Sequence, residues 1–132
     1  MDGTQYNWVT ERSKCSLREA LLRLQRETEK DVEVRNALRP EGVKYQFSLA
    51  PNADAFVVSL SGFGMPSSSV CVRLEKGYIA VYDDARNEMF QARITLNDDG
   101  ECRFLIDGNE RAFWQFRRRA LDRLFFSLLG EP

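Results

Sequence analysis

Hydrophobic residues along this chain follow two rhythms, and the switches between them divide it into three parts. From Ser16 to Ala37, the residues Leu17, Leu21, Leu24, Thr28 and Val32 recur at helical spacing and mark one face of a helix. Ser16-Leu17-Arg18-Glu19 fits a capping box, in which the Ser hydroxyl accepts a first-turn N–H and the Glu reaches back. Glu19, Arg23 and Glu27 stand four apart on another face, where opposite charges can pair. Pro40 disfavours helical backbone in the residue before it, and with Gly42 it ends the helix.

From Lys44 the period becomes two. Tyr45, Phe47 and Leu49 alternate with polar residues, then Phe56, Val58 and Leu60, then Val70, Val72 and Leu74. Tyr78–Tyr82 is apolar on both faces and belongs in the middle of a sheet. Phe90–Leu96 and Cys102–Ile106 complete the set, with Asn97-Asp98-Asp99-Gly100 a strong hairpin signal between them. Short turns between consecutive strands imply an antiparallel meander, because parallel neighbours need long crossovers. The helical rhythm returns after Asp107, and Asp107-Gly108-Asn109-Glu110 has the spacing of a second capping box. Phe113, Ala120, Leu121, Leu124 and Leu128 form the inward stripe of this helix, flanked by Trp114, Phe116 and Phe125.

The expected architecture is therefore α+β: an antiparallel meander sheet of five to six strands, flanked by an N-terminal and a C-terminal helix, with a single layer of helices on the sheet. The 132 residues read as one domain. Its parts are an N-terminal extension over 1–15, a helix over 16–37, a sheet over 44–106 and a helix over 107–129. Tyr6, Trp8 and Val9 form an apolar segment in the extension that could add to a sheet edge or a partner.

Composition adds exclusions. Hydrophobic residues make up 43% of the chain, too many for a disordered segment. The net charge of −1 gives no global attraction to nucleic acid or anionic membrane. No apolar run approaches membrane-spanning length, and the first residues lack the pattern of a secretory leader. Three cysteines, Cys15, Cys71 and Cys102, with no C-x-x-C spacing, argue against a disulfide framework and a zinc site. Free thiols suit a reducing cytoplasm, which is the expected location.

The chain has no histidine, which removes Ser-His-Asp and Cys-His catalysis and His-ligated metals. No catalytic set, metal site or cofactor motif emerges, so a non-enzymatic protein is expected. Gly62-Phe63-Gly64 lacks the Lys and following helix of a phosphate loop. Phe63 and Met65 are large apolar residues in a surface loop and are candidate contact points. Meander topology places the 39–43 connection, the 62–69 loop, the 83–87 turn and the 107–110 helix start at one end of the sheet. A ligand site there would draw on Ser67, Ser68, Ser69, Asp83, Asp84, Arg86 and the free N–H groups of the second helix. Asp83-Asp84 and Asp98-Asp99 fall at opposite ends and do not cooperate.

Arg117 breaks the pattern of the second helix, lying in the apolar stripe while Arg118, Arg119 and Arg123 point outward. A guanidinium there must find a carboxylate, reach water or meet a ligand. Phe126, on the polar side, marks a contact surface. The leading expectation is a small cytosolic protein-interaction module (adaptor, regulator or chaperone-like) that binds a protein partner or itself. The alternative is a binder of a small acidic ligand beside Arg117. The third is a weak nucleic-acid binder using the arginines of the C-terminal helix.

Overall fold

The computed structural model describes residues 6–62 and 67–129. Seven strands form one antiparallel sheet in sequence order: β1 (Tyr45–Pro51), β2 (Ala55–Gly62), β3 (Ser68–Leu74), β4 (Ile79–Asp83), β5 (Glu88–Leu96), β6 (Cys102–Ile106) and β7 (Asn109–Arg111). The six strands expected from alternation are all present, and β4 is the central one of seven. Three helices accompany them: α1 (Trp8–Lys14), α2 (Leu17–Ala37) and α3 (Phe113–Phe125), with a 3-10 turn at Ser127–Leu129.

One sheet face is apolar and buried. Phe47, Phe56, Val58, Val72, Val81, Phe90 and Phe104 lie on it and pack against α2 and α3. Alternation makes this possible, since successive strand side chains point to opposite faces. Phe116 sits 4.7 Å from Phe104 and 5.1 Å from Phe90, ring centre to ring centre, so α3 drives an aromatic wedge into that face. Burial of each such ring contributes roughly 1.5–3 kcal/mol. Helix α2 begins as its sequence implies: the Ser16 hydroxyl accepts from the Glu19 N–H at 3.1 Å. Its last turn also guards the sheet edge. The Asn36 side-chain amide donates to the Phe47 carbonyl at 2.8 Å and accepts from the Phe47 N–H at 2.9 Å, replacing a missing neighbour strand.

Three expectations are corrected. The 107–110 segment is a hairpin, not a helix start. Asp107 and Gly108 both have positive φ, 54° and 78°, and turn β6 into β7 with Ile106 opposite Asn109. Asp-Gly is the pair that a two-residue turn of this kind requires. The helix begins only at Phe113. Ala112 offers no side-chain acceptor there, and the Gln115 side chain accepts from the Ala112 N–H at 2.7 Å. Because β7 carries the chain back along the sheet, the start of α3 lies beside Gly100 and Cys102. Its last turn reaches Ser68 and Asp83. The end of the sheet near Asp83 therefore receives the C-terminus of α3, not its free N–H groups.

The second correction is in the extension. Trp8–Lys14 is a short helix, capped by the Asn7 side chain accepting from the Thr10 N–H at 3.0 Å. It buries none of its residues, so no apolar periodicity announces it. The third is the cysteine reading: Cys15 and Cys102 form a disulfide across 87 residues of sequence, leaving Cys71 free. This bond ties the end of α1 to the start of β6, and Tyr6 adds a hydrogen bond to the Gly100 carbonyl at 3.1 Å.

Two measurements check the disulfide. Thiol titration of the unfolded, unreduced chain should find one reactive cysteine. Replacing Cys15 and Cys102 by Ala should lower the unfolding free energy by roughly 2–5 kcal/mol in denaturant titrations, as expected when a long loop is released in the unfolded state.

Candidate functional site

The two long helices run side by side in the same direction. Arg23 of α2 stacks on Phe113 at 3.8 Å, Glu27 and Asp31 meet Arg117, and Arg35 meets the last turn of α3. Arg117, the residue that interrupts the apolar stripe, donates from Nε to Asp31 at 2.7 Å and from Nη1 to Glu27 at 2.9 Å. Glu27 also accepts from Arg23 at 3.2 Å, so four charged side chains form one chain of contacts between the helices. The guanidinium is mostly shielded, at 19% exposure, and its carboxylates sit at 30% and 33%. Arg117 is thus an ion-paired clamp, with its Nε and Nη1 donors already taken by protein carboxylates.

A second clamp was not anticipated. Arg35 is 2% exposed. Its Nε donates to the Phe125 carbonyl at 2.8 Å, and its guanidinium lies 5.0 Å from the rings of both Phe47 and Phe126. A cation at a helix C-terminus satisfies an orphan carbonyl and meets the negative end of the helix dipole. The signal was available: Arg35 is the next position of the stripe that runs through Thr28 and Val32.

Above these clamps the helices leave a groove of about 350 Å3, lined by Asp31, Val34, Leu38, Trp114, Leu121 and Phe126 among others. Val34, Leu38 and Trp114 are 60%, 65% and 54% exposed. Contiguous exposed apolar side chains of this size are unusual on a surface with no partner. Of the residues singled out by sequence, Arg117 and Phe126 both line this groove. Phe126 is half-buried against the core, not held out on a polar face. Val34 and Leu38 lie off the inward stripe of α2, and Trp114, expected to flank the inward stripe of α3, turns to solvent at the groove instead.

The end near Asp83 is built differently. Asp83 accepts from the N–H groups of Ala85 and Asn87 at 2.9 Å each, so its carboxylate holds the β4–β5 turn. Ser68 donates to Asp84 at 3.3 Å, Ser67 is exposed, and Arg86 occupies the turn with φ of 65°. Phe63 and Met65 lie outside the described residues. The 83–87 and 97–101 turns stand at opposite ends of the sheet, and among the described residues no three metal-ligating side chains converge.

The sheet face away from the helices carries Val57, Cys71, Arg73 and Tyr82 around a shallow hollow of about 550 Å3, bordered by Asp83 and Arg86. Tyr82 donates to Glu75 at 3.3 Å. Desolvation, and then the neighbouring Glu75 carboxylate, push its hydroxyl above the usual tyrosine range.

Two outcomes follow from these contacts. Arg117→Met leaves Glu27 and Asp31 facing each other and should destabilise the fold by roughly 1–3 kcal/mol in denaturant titration, discounted for partial exposure. Adding Glu27→Gln and Asp31→Asn should restore part of that loss. The raised Tyr82 pKa means the folded state holds that proton more tightly than the unfolded state, so its stabilising effect is complete below pH 10 and declines as pH rises further. The alkaline fall in melting temperature should therefore be shallower for Tyr82→Phe.

No known protein family, characterised protein or solved structure matches this chain.

Proposed function

We propose that the chain is a non-enzymatic protein-interaction module whose docking face is the groove between α2 and α3. One observation carries this reading: Val34, Leu38 and Trp114, each more than half exposed, border a single apolar depression that the helix pair holds open. Two parallel helices with an apolar seam between them offer the kind of surface into which an amphipathic segment lays its own apolar face. The clamps below the groove favour this use, because a preformed site avoids the ordering cost of assembling one on binding.

The small acidic ligand reading loses ground, since the arginine it would use is already bound to Asp31 and Glu27. The expected cytoplasmic location rested in part on three free thiols, and the Cys15–Cys102 pair takes that part of its support away.

Replacing Val34 and Leu38 together by Gln tests the groove without altering charge. Both side chains are exposed, so stability should change by no more than about 0.5 kcal/mol. Light scattering and affinity capture should then show loss of any self-association or retained polypeptide seen with the unaltered chain. Identical behaviour of the two proteins would place the docking face elsewhere.

A further inference from the structure

We infer that the groove's occupant is an amphipathic helix of a partner protein with an acidic face, a deepening that rests on the docking reading above. Trp114, Arg118 and Asp122 line the groove and also line a neighbouring hollow of about 450 Å3 on the outer side of α3. That hollow gathers Arg111, Arg119 and Arg123 beside Arg118, with Asp122 the one carboxylate in its wall.

The arginines are not equally engaged. Arg119 is held by Asp107 at 3.0 Å and lies over the Phe90 ring at 4.7 Å. Arg111 donates to the Glu110 carbonyl at 2.9 Å. Arg118 and Arg123 are exposed, and neither has an ion pair among the described residues. On the opposite wall of the groove the acid Asp31 is already bound to Arg117 at 2.7 Å.

The row Trp114, Arg118 and Asp122 is therefore a ridge, with an apolar trough on one side and, on the other, four arginines against the single carboxylate of Asp122 in the hollow's wall. An occupant that fits both sides has apolar residues at helical spacing toward Val34 and Leu38, and carboxylates toward Arg118 and Arg123. The 13 residues of α3 span about 20 Å, so the occupant is a helix of about four turns. A basic segment would set like charges against each other. A nucleic acid would engage the arginines and leave the apolar trough uncovered, and two unpaired cations are a thin footprint for phosphates.

The test is a display library of helical segments about four turns long, with a fixed Leu face and a polar face randomised among Glu, Gln and Lys. It is panned against the whole chain and, in parallel, against the Val34→Gln/Leu38→Gln variant. Enriched sequences should be rich in Glu on one side of the polar face and absent from the variant's pool. Their affinity should fall at least about tenfold for Arg118→Glu/Arg123→Glu, read from Trp114 emission in a Trp8→Phe background. Gln-rich or Lys-rich winners that still need Val34 and Leu38 would overturn the acidic partner and leave the groove standing. Failure to enrich any segment over the variant would overturn the groove itself. Binding of a DNA duplex at low salt that depends on Arg118 and Arg123, with no segment enriched, would assign the face to nucleic acid instead.

Discussion

The direction of the C-terminal helix rests on a two-residue turn. Asp107 and Gly108 adopt positive φ and fold β7 back onto β6, and this three-residue strand delivers the chain to the far end of the sheet before α3 begins. Had a helix started directly at Asp107, it would have begun at the other end and run against α2. The Arg117–Asp31 and Arg35–Phe125 contacts, and the order in which they occur along both helices, exist only in the parallel arrangement. Gly108 tolerates its φ without cost, whereas Asp107 is a residue type that visits the left-handed region more readily than most.

Parallel neighbouring helices set like dipole ends beside one another. The side chains at their contacts compensate. Arg35 brings positive charge to the C-terminus of α3, where the carbonyl of Phe125 is otherwise an orphan. Arg117 brings a cation between two carboxylates spaced one turn apart on α2, which would repel each other without it. Charge thus fixes the distance and register of the helix pair along its inner seam. Apolar residues that would normally do this by interdigitating are left facing outward as Val34, Leu38 and Trp114.

Most of the fold was legible because burial is one-sided. A sheet covered by helices on one face writes alternation into its strands, and the strands from Tyr45 to Ile106 follow it except β4, where Ile79, Ala80 and Val81 are buried in succession at the centre of the sheet. What escaped had no such imprint or carried two. The helix Trp8–Lys14 buries nothing, so its residues are free of pattern. The Asp107–Glu110 stretch satisfies a capping box by spacing and a hairpin turn by composition. The hairpin prevails because Asn109–Arg111 gains backbone pairing with β6, while the start of the helix gains nothing at Asp107. The disulfide joins residues 87 apart, and which of three cysteines pair is a property of the fold alone.

The candidate site divides along the same line. Arg117 announced itself because a cation in an apolar stripe is conspicuous, and the carboxylates that answer it, Glu27 and Asp31, sit on a helix nearly ninety residues away whose orientation the sequence leaves undetermined. The exposed apolar residues of the groove are ordinary one by one, since single surface hydrophobes need no explanation. They become informative only when two helices bring Val34 and Leu38 opposite Trp114, beside arginines that lack counter-charges. A docking surface made by two elements is a relation between them. Each strand or helix records its own inward face in its sequence, but the outward faces are recorded only in how the helices are placed.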